Sequence, residues 1–172
     1  IFSMKIGLLS DTHCYIDERI MHHLSDCDQI WHAGDVGNNI VLEKLSAAKE
    51  TVGVYGNIDG TDIRIQWPEF VVKKLNGLTF LMIHIAGAVE RYNTKTRELI
   101  ALHKPDVLIC GHSHILKVVR DKRFNLIHMN PGAAGNHGFH KVRTLLKFDV
   151  ENANLYNLQV IELGPKSTKA ID

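Results

Sequence analysis

The chain has 172 residues, of which 45% are hydrophobic and 23% charged, with 20 Lys and Arg against 19 Asp and Glu. That length and balance fit one ordinary globular domain, expected here over residues 4–165. The formal net charge of +1 excludes the broad electrostatic footprint of a protein that binds long nucleic acid or an anionic membrane.

Ile1 to Ser3 read as an extension ahead of a start at Met4. Lys5 to Ser10 is a short apolar run, expected as a buried parallel strand, and Asp11-Thr12-His13 follows it. Asp17 is placed to cap a helix running to about Leu24. Asp28 to Ala33 predicts a second strand, ending in Gly34-Asp35. Asn38 to Lys49 predicts an amphipathic helix with Ile40, Val41, Leu45 and Ala48 on its buried face. Thr51 to Tyr55 predicts a third strand, ending in Gly56-Asn57. Phe70 to Leu75 and Leu78 to His84 flank Asn76-Gly77, a strong hairpin signal. Thr94 to His103 predicts a helix closed by Lys104-Pro105. Val107 to Cys110 predicts a strand ending in Gly111-His112-Ser113-His114. Two hairpins follow, Leu116 to Val119 with Phe124 to His128, and Val142 to Val150 with Leu155 to Leu163, before a tail expected to fray. Alternating β and α elements followed by hairpins predict two packed sheets with helices on their outer faces.

Three cysteines, Cys14, Cys27 and Cys110, are odd in number and irregularly spaced, which argues for reduced thiols and a cytoplasmic setting. No apolar run approaches the roughly 18–20 residues that span a bilayer, and Ile6 to Leu9 is too short for a signal peptide. The basic cluster Lys117, Arg120, Lys122 and Arg123 is read as a solvated hairpin. Trp31, Trp67 and Phe139 are assigned to the core rather than to an interface.

The polar clusters share one feature: each follows an apolar strand. Asp11 and His13 follow the first, Asp35 the second, Asn57 the third, His84 a hairpin strand, and His112 and His114 the strand after the second long helix. Ligands of open α/β sheets bind at the carboxyl ends of strands, so these seven side chains are expected on one rim. Taken singly, each has a plainer explanation: a cap, a turn or a core histidine. Their common placement makes joint coincidence a poor account. Carboxylate, imidazole and amide oxygen together suit Mn, Zn, Fe, Ni or Co better than calcium. No cysteine joins the set, which argues against a zinc–thiolate site.

The ordered set Asp11-Thr-His13, Gly34-Asp35, Gly56-Asn57-Ile-Asp59, His84 and Gly111-His112-Ser-His114 resembles the calcineurin-like metallophosphoesterase superfamily. Within it, the chain looks like the small phosphodiesterases of the YfcE type, whose Asn-Pro-Gly-Ser is similar to Asn130-Pro-Gly-Ala133. The resemblance implies a four-layer αββα sandwich and a phosphodiesterase with two divalent metal ions, manganese first among them. Asp11, His13, Asp35 and His114 would hold one ion. Asp35, Asn57, His84 and His112 would hold the other, with Asp35 bridging. Asp35, Asn57 and His112 would carry the catalysis. Two such ions would lower the pKa of a bound water toward neutrality and so supply the nucleophile. Metal-bound histidines need acceptors for their second nitrogen, and Asp59 or a backbone carbonyl is expected to serve. The implied partners are a small phosphoester substrate and a second copy in a homodimer.

Two departures stand out. Many relatives carry His or Cys after Gly-Asn, where this chain has Ile58, which cannot protonate a leaving group. His32, His137 and His140 are candidate substitutes, although each has a plainer reading as a surface or packing histidine. Close relatives often read His-Gly-His at the fourth motif, where this chain reads His84-Ile-Ala86. The competing reading is a protein-interaction scaffold of the same fold, like the retromer subunit.

Overall fold

A computed structural model describes residues 2–166, so the tail expected to fray lies outside the described residues. The first half alternates strand and helix: β1 (Met4–Leu9), α1 (Glu18–Leu24), β2 (Gln29–His32), α2 (Asn39–Ala48), β3 (Glu50–Gly53) and α3 (Thr61–Arg64). Asp17 caps α1 by accepting from the Ile20 N–H at 2.9 Å. Asn38 caps α2 in the same way through the Val41 N–H at 3.2 Å. The second half contains β4 (Phe70–Leu75), β5 (Leu78–Ile83), the short pair β6 (Gly87–Ala88) and β7 (Arg91–Tyr92), α4 (Thr94–His103) and β8 (Val107–Ile109). It closes with β9 (Leu116–Asp121), β10 (Leu126–Pro131), β11 (Val142–Glu151) and β12 (Asn154–Pro165).

Two five-stranded sheets result. The first has the order β12-β11-β1-β2-β3, with β1, β2 and β3 mutually parallel and β11 antiparallel to β1. The second has the order β4-β5-β8-β10-β9, with β5, β8 and β10 parallel. Strand alternation sorts side chains into three cores. Ile6, Leu8, Trp31, Phe80, Ile109 and Phe148 fill the space between the sheets. Leu9, Ile30 and Leu145 point the other way, against Ile20 and Leu24 of α1 and Val41 and Leu45 of α2. Leu81, Ile83 and Leu108 leave the second sheet on its far side to meet Leu99 and Ile100 of α4. The architecture is therefore an α/β sandwich of four layers, helix–sheet–sheet–helix.

The structure departs from expectation in instructive places. The buried face of α2 is Val41, Leu42 and Leu45, whereas Ile40 is 68% exposed and Ala48 is exposed too. Helical period alone leaves a face ambiguous by one position, and contact with the sheet decides it. Helix α3 and the pair β6 and β7 lie in segments with no periodic signal. Trp31 and Trp67 are buried, but Phe139 is fully exposed on the loop before β11. The basic cluster is a solvated hairpin: Arg120 donates to Asn125 Oδ1 at 2.7 Å and Arg123 to the Glu90 carbonyl at 2.9 Å.

Candidate metal centre

Both sheets present the carboxyl ends of their parallel strands on one rim. Beyond β1 and β2 the chain stays paired: Asp11 N–H donates to Gly34 O at 2.9 Å and His13 N–H to Asp35 O at 3.0 Å. That pairing brings the Asp11-His13 and Asp35 loops together. Asn57 arrives from the loop after β3, His84 from the end of β5, and His112 and His114 from the loop after β8.

The seven side chains converge in two groups. Ligand atoms of Asp11, His13 and His114 lie within 4.8 Å of one another, and so do those of Asp35, His84 and His112. His114 Nε2 stands 3.1 Å from Asp11 Oδ1, and His84 Nε2 stands 3.2 Å from Asp35 Oδ2. Asp35 Oδ2 also lies 3.5 Å from His13 Nε2, so this carboxylate touches both groups. Asn57 Oδ1 joins the second group at 3.0 Å from His112 Nδ1.

Three buried atoms at the centre lack any hydrogen-bond partner: Asp11 Oδ1, His13 Nε2 and His84 Nε2. Buried polar atoms are ordinarily satisfied, so three orphans aimed at one point call for a ligand. All are metal donors, and the set fits divalent cations of the nitrogen–oxygen class. For His84 the tautomer is fixed by the Ala33 carbonyl, which accepts from Nδ1–H at 2.7 Å and leaves Nε2 toward the cluster. Asp59 has a different use. Its carboxylate accepts from the N–H groups of Val36 at 3.1 Å, Gly37 at 2.8 Å and Gly56 at 2.8 Å, tying the Asp35 loop to the Asn57 loop.

The electrostatics follow from this crowding. Burial works against the Asp11 carboxylate, yet the nearby imidazoles of His114, His13 and His84, with the Ser10 hydroxyl, hold it well below its ordinary range. Burial likewise opposes Asp35, and His84 with the Ile58 N–H lowers it. Burial opposes a charged His84 too, and the two aspartates raise it. Like the carboxylates, the backbone is under stress. Asp11, His13, Asp35, His112 and His114 all have φ between 45° and 70°, the left-handed region that non-glycine residues rarely adopt. Such strain costs on the order of 1–3 kcal/mol per residue and collects at functional sites.

The glycines ahead of the ligands make room. A Cβ on Gly56 would sit 2.0 Å from Asp35 Oδ1, and one on Gly111 would sit 2.1 Å from Ser10 Oγ. Two polar residues were not singled out for the roles they take here. Ser10 donates to Asp11 Oδ2 at 2.7 Å. Asn130 donates to Gly111 O and to Ser113 Oγ, both at 3.0 Å, and so fixes the loop that carries His112 and His114. A hydroxyl directly after the apolar run Ile6 to Leu9, and the Asn-Pro-Gly segment itself, were the available signals.

Of the three substitute histidines, His32 cannot reach the cleft. It is fully buried, its Nδ1 accepts from the Gly34 N–H at 3.1 Å, and its Nε2 faces Thr12 Oγ1 at 3.0 Å. His137 and His140 line the cleft itself, with the His137 ring 4.6 Å from His13. Ile58 is half-exposed there and contributes its backbone N–H, which donates to Asp35 Oδ1 at 3.1 Å.

This chain belongs to the calcineurin-like phosphoesterase superfamily, whose domain description matches residues 4–153. A probable metallophosphoesterase of Methanocaldococcus jannaschii is 29% identical over 137 residues, covering 76% of this chain and 68% of that protein. A probable metallophosphoesterase of Mycoplasma pneumoniae is 34% identical over 117 residues, covering 64% of this chain and 68% of its own length. Among solved structures, Vps29 of Chaetomium thermophilum has a TM-score of 0.74 at 16% identity, covering 95% of this chain and all of that one. A structure described as a novel archaeal phosphodiesterase has a TM-score of 0.71 at 22% identity, with 92% and 100% covered. These two likenesses concern the fold alone. The family hydrolyses phosphoesters with divalent metals, and the two residue groups above supply donors for them. No helix among the described residues is long and apolar enough to cross a membrane.

Proposed function

We propose that this chain is a two-metal phosphodiesterase and that residues 4–165 act as one catalytic domain. The observation that carries the reading is the set of three buried, unpartnered donor atoms on Asp11, His13 and His84 within one cluster. Asp11, His13, Asp35 and His114 would hold one ion; Asp35, Asn57, His84 and His112 the other. Asp35 would bridge, in keeping with its approach to both groups. Manganese is the first choice of metal, with Zn, Fe, Ni or Co as alternatives. Free thiols at Cys14, Cys27 and Cys110 support a cytoplasmic setting.

When bound, the two ions lower the pKa of water and neutralise charge developing on the phosphoryl oxygens. The chain's own residues do the rest. Asp59 and Asn130 hold the ligand-bearing loops in register, which positions the donors ahead of substrate. Ala33 keeps His84 in the tautomer that offers Nε2. The cleft beside the centre, about 590 Å³, exposes one face of it to a small phosphoester. Ile58 gives the cleft no proton donor at the position where many relatives have one, which favours substrates whose leaving groups depart unprotonated.

The test is hydrolysis of a chromogenic aryl phosphodiester by metal-stripped protein, with and without Mn²⁺, beside the variant Asp35→Asn. Activity is expected only with metal. It should fall by about a hundredfold or more in the variant, because one substitution weakens both sites. Wild-type rates in Asp35→Asn would refute the assignment. The second reading, a metal-holding interaction scaffold, is favoured by the fold shared with Vps29 chains. Protein that binds two ions yet turns over no phosphoester with any divalent metal would move that reading to first place.

A further inference from the structure

The cleft beside the metal-donor cluster carries three large apolar side chains among its polar lining. Phe139 is fully exposed, Ile115 is 63% exposed and Ile58 is 46% exposed, and all three line the cleft that holds His13, Asp35 and His114. Large apolar side chains are scattered singly on most surfaces. Three lining one cleft beside a charged centre are a different matter.

Phe139 is exposed without being loosely held. Its neighbours on both sides are seated against the donor histidines: the His137 ring lies 4.6 Å from His13, and the His140 ring 5.3 Å from His114. His140 Nε2–H donates to the Gly135 carbonyl at 2.8 Å. Gly138 packs so closely on His114 that a Cβ there would lie 2.1 Å from its Nδ1. Lys166 donates to the Gly138 carbonyl. The backbone on both sides of Phe139 is thus held in place, with the exposed ring at the cleft.

We infer that Phe139, with Ile58 and Ile115, forms a specificity subsite for one ester group of the substrate, and that the subsite takes a flat, apolar aryl or heteroaryl group. The inference rests on the phosphodiesterase reading, since a phosphoryl group held at the donor cluster would place its ester arm in the cleft these side chains line. A cleft of about 590 Å³ has room for one planar ring system beside the phosphoryl group.

Phenylphosphonate and methylphosphonate make the test, because neither is hydrolysed and they differ only in the apolar group. Each is titrated calorimetrically into Mn²⁺-loaded wild type and into Phe139→Ala, a surface change that leaves the core untouched. Wild type is expected to bind phenylphosphonate at least tenfold more tightly. Phe139→Ala should cut that preference about threefold to tenfold, the scale of one lost aromatic contact, while methylphosphonate affinity and metal content stay unchanged. The same variant should lower kcat/KM for phenyl 4-nitrophenyl phosphate more than for methyl 4-nitrophenyl phosphate, which share a leaving group. Equal affinity of the two phosphonates for wild type, or an equal loss of both in the variant, would overturn the subsite and leave the phosphodiesterase reading standing. Failure of either anion to bind at all would sink both. Sedimentation is run alongside. A dimer that Phe139→Ala converts to monomer would show that these side chains are covered by a second copy, and the subsite would be abandoned.

Discussion

The carboxylate of Asp59 accepts from three backbone N–H groups belonging to two different loops. It is buried, so each of those donors would be left without a partner if it were lost. Asp59→Asn keeps one acceptor oxygen but turns an amide NH₂ toward the remaining donors. Stability should fall by roughly 1–3 kcal/mol, measured by urea unfolding of the metal-stripped protein. Mn²⁺ affinity should fall about tenfold to a hundredfold, as is usual when support behind metal ligands is removed. A variant that loses stability and keeps full affinity would mean that Asp59 holds the fold and has no hand in the site. The contrast with Asp35 is useful: both residues follow a strand and a glycine, but only Asp35 reaches donor atoms of both groups.

At the scale of elements, the hairpin of β4 and β5 was legible because Asn76-Gly77 demands positive φ at both positions, and both have it, 46° and 90°. Gly77 also lies close to Ala153, where a Cβ would approach the Ala153 methyl to 2.9 Å. Gly77→Ala is therefore expected to lower stability by about 1–2 kcal/mol, read from the thermal midpoint, with turnover unaffected at room temperature. An unchanged midpoint would mean the turn relaxes to another type. The same local chemistry made the strands and the caps Asp17 and Asn38 readable, and it put the donor residues at strand ends. What stayed hidden has a common cause. The buried face of α2, the short α3 and the pair β6 and β7 are set by what packs on them, not by their own period. Phe139 was assigned to the core on hydrophobicity, but the packing of its loop against His13 and His114 turns it outward. Likewise, nothing local to Asn130 says that it grips a loop some 19 residues earlier in the chain.

For the whole molecule, two buried histidines outside the donor set give stability a pH dependence. Burial pushes His32 down to about 4, and burial with the nearby Lys117 charge pushes His128 down to about 4. In the unfolded chain each takes up a proton near 6.5. Between these values the unfolded state binds more protons than the folded one, so stability rises with pH across the window. It is fully present above about pH 6.5 and is lost progressively as pH falls toward about 4. Each histidine contributes at most roughly 3 kcal/mol to that slope. The urea midpoint of metal-stripped protein should drop between pH 7 and pH 4.5, and His128→Gln should flatten the dependence. A midpoint independent of pH in that range would contradict both assignments.

The five left-handed residues around the metal centre carry a consequence for how the gene tolerates change. Glycine at position 11, 13, 35, 112 or 114 would relieve backbone strain of about 1–2 kcal/mol, against its own loss of chain entropy. A mutant library selected only for folding, by protease resistance without metal, should therefore accept glycine at these positions more readily than at other polar sites with ordinary backbone angles. The same library selected for phosphoester turnover should reject it at all five. Where the two selections diverge would map the centre without any inhibitor or bound ion, and a lineage released from catalysis would be expected to lose these five side chains early.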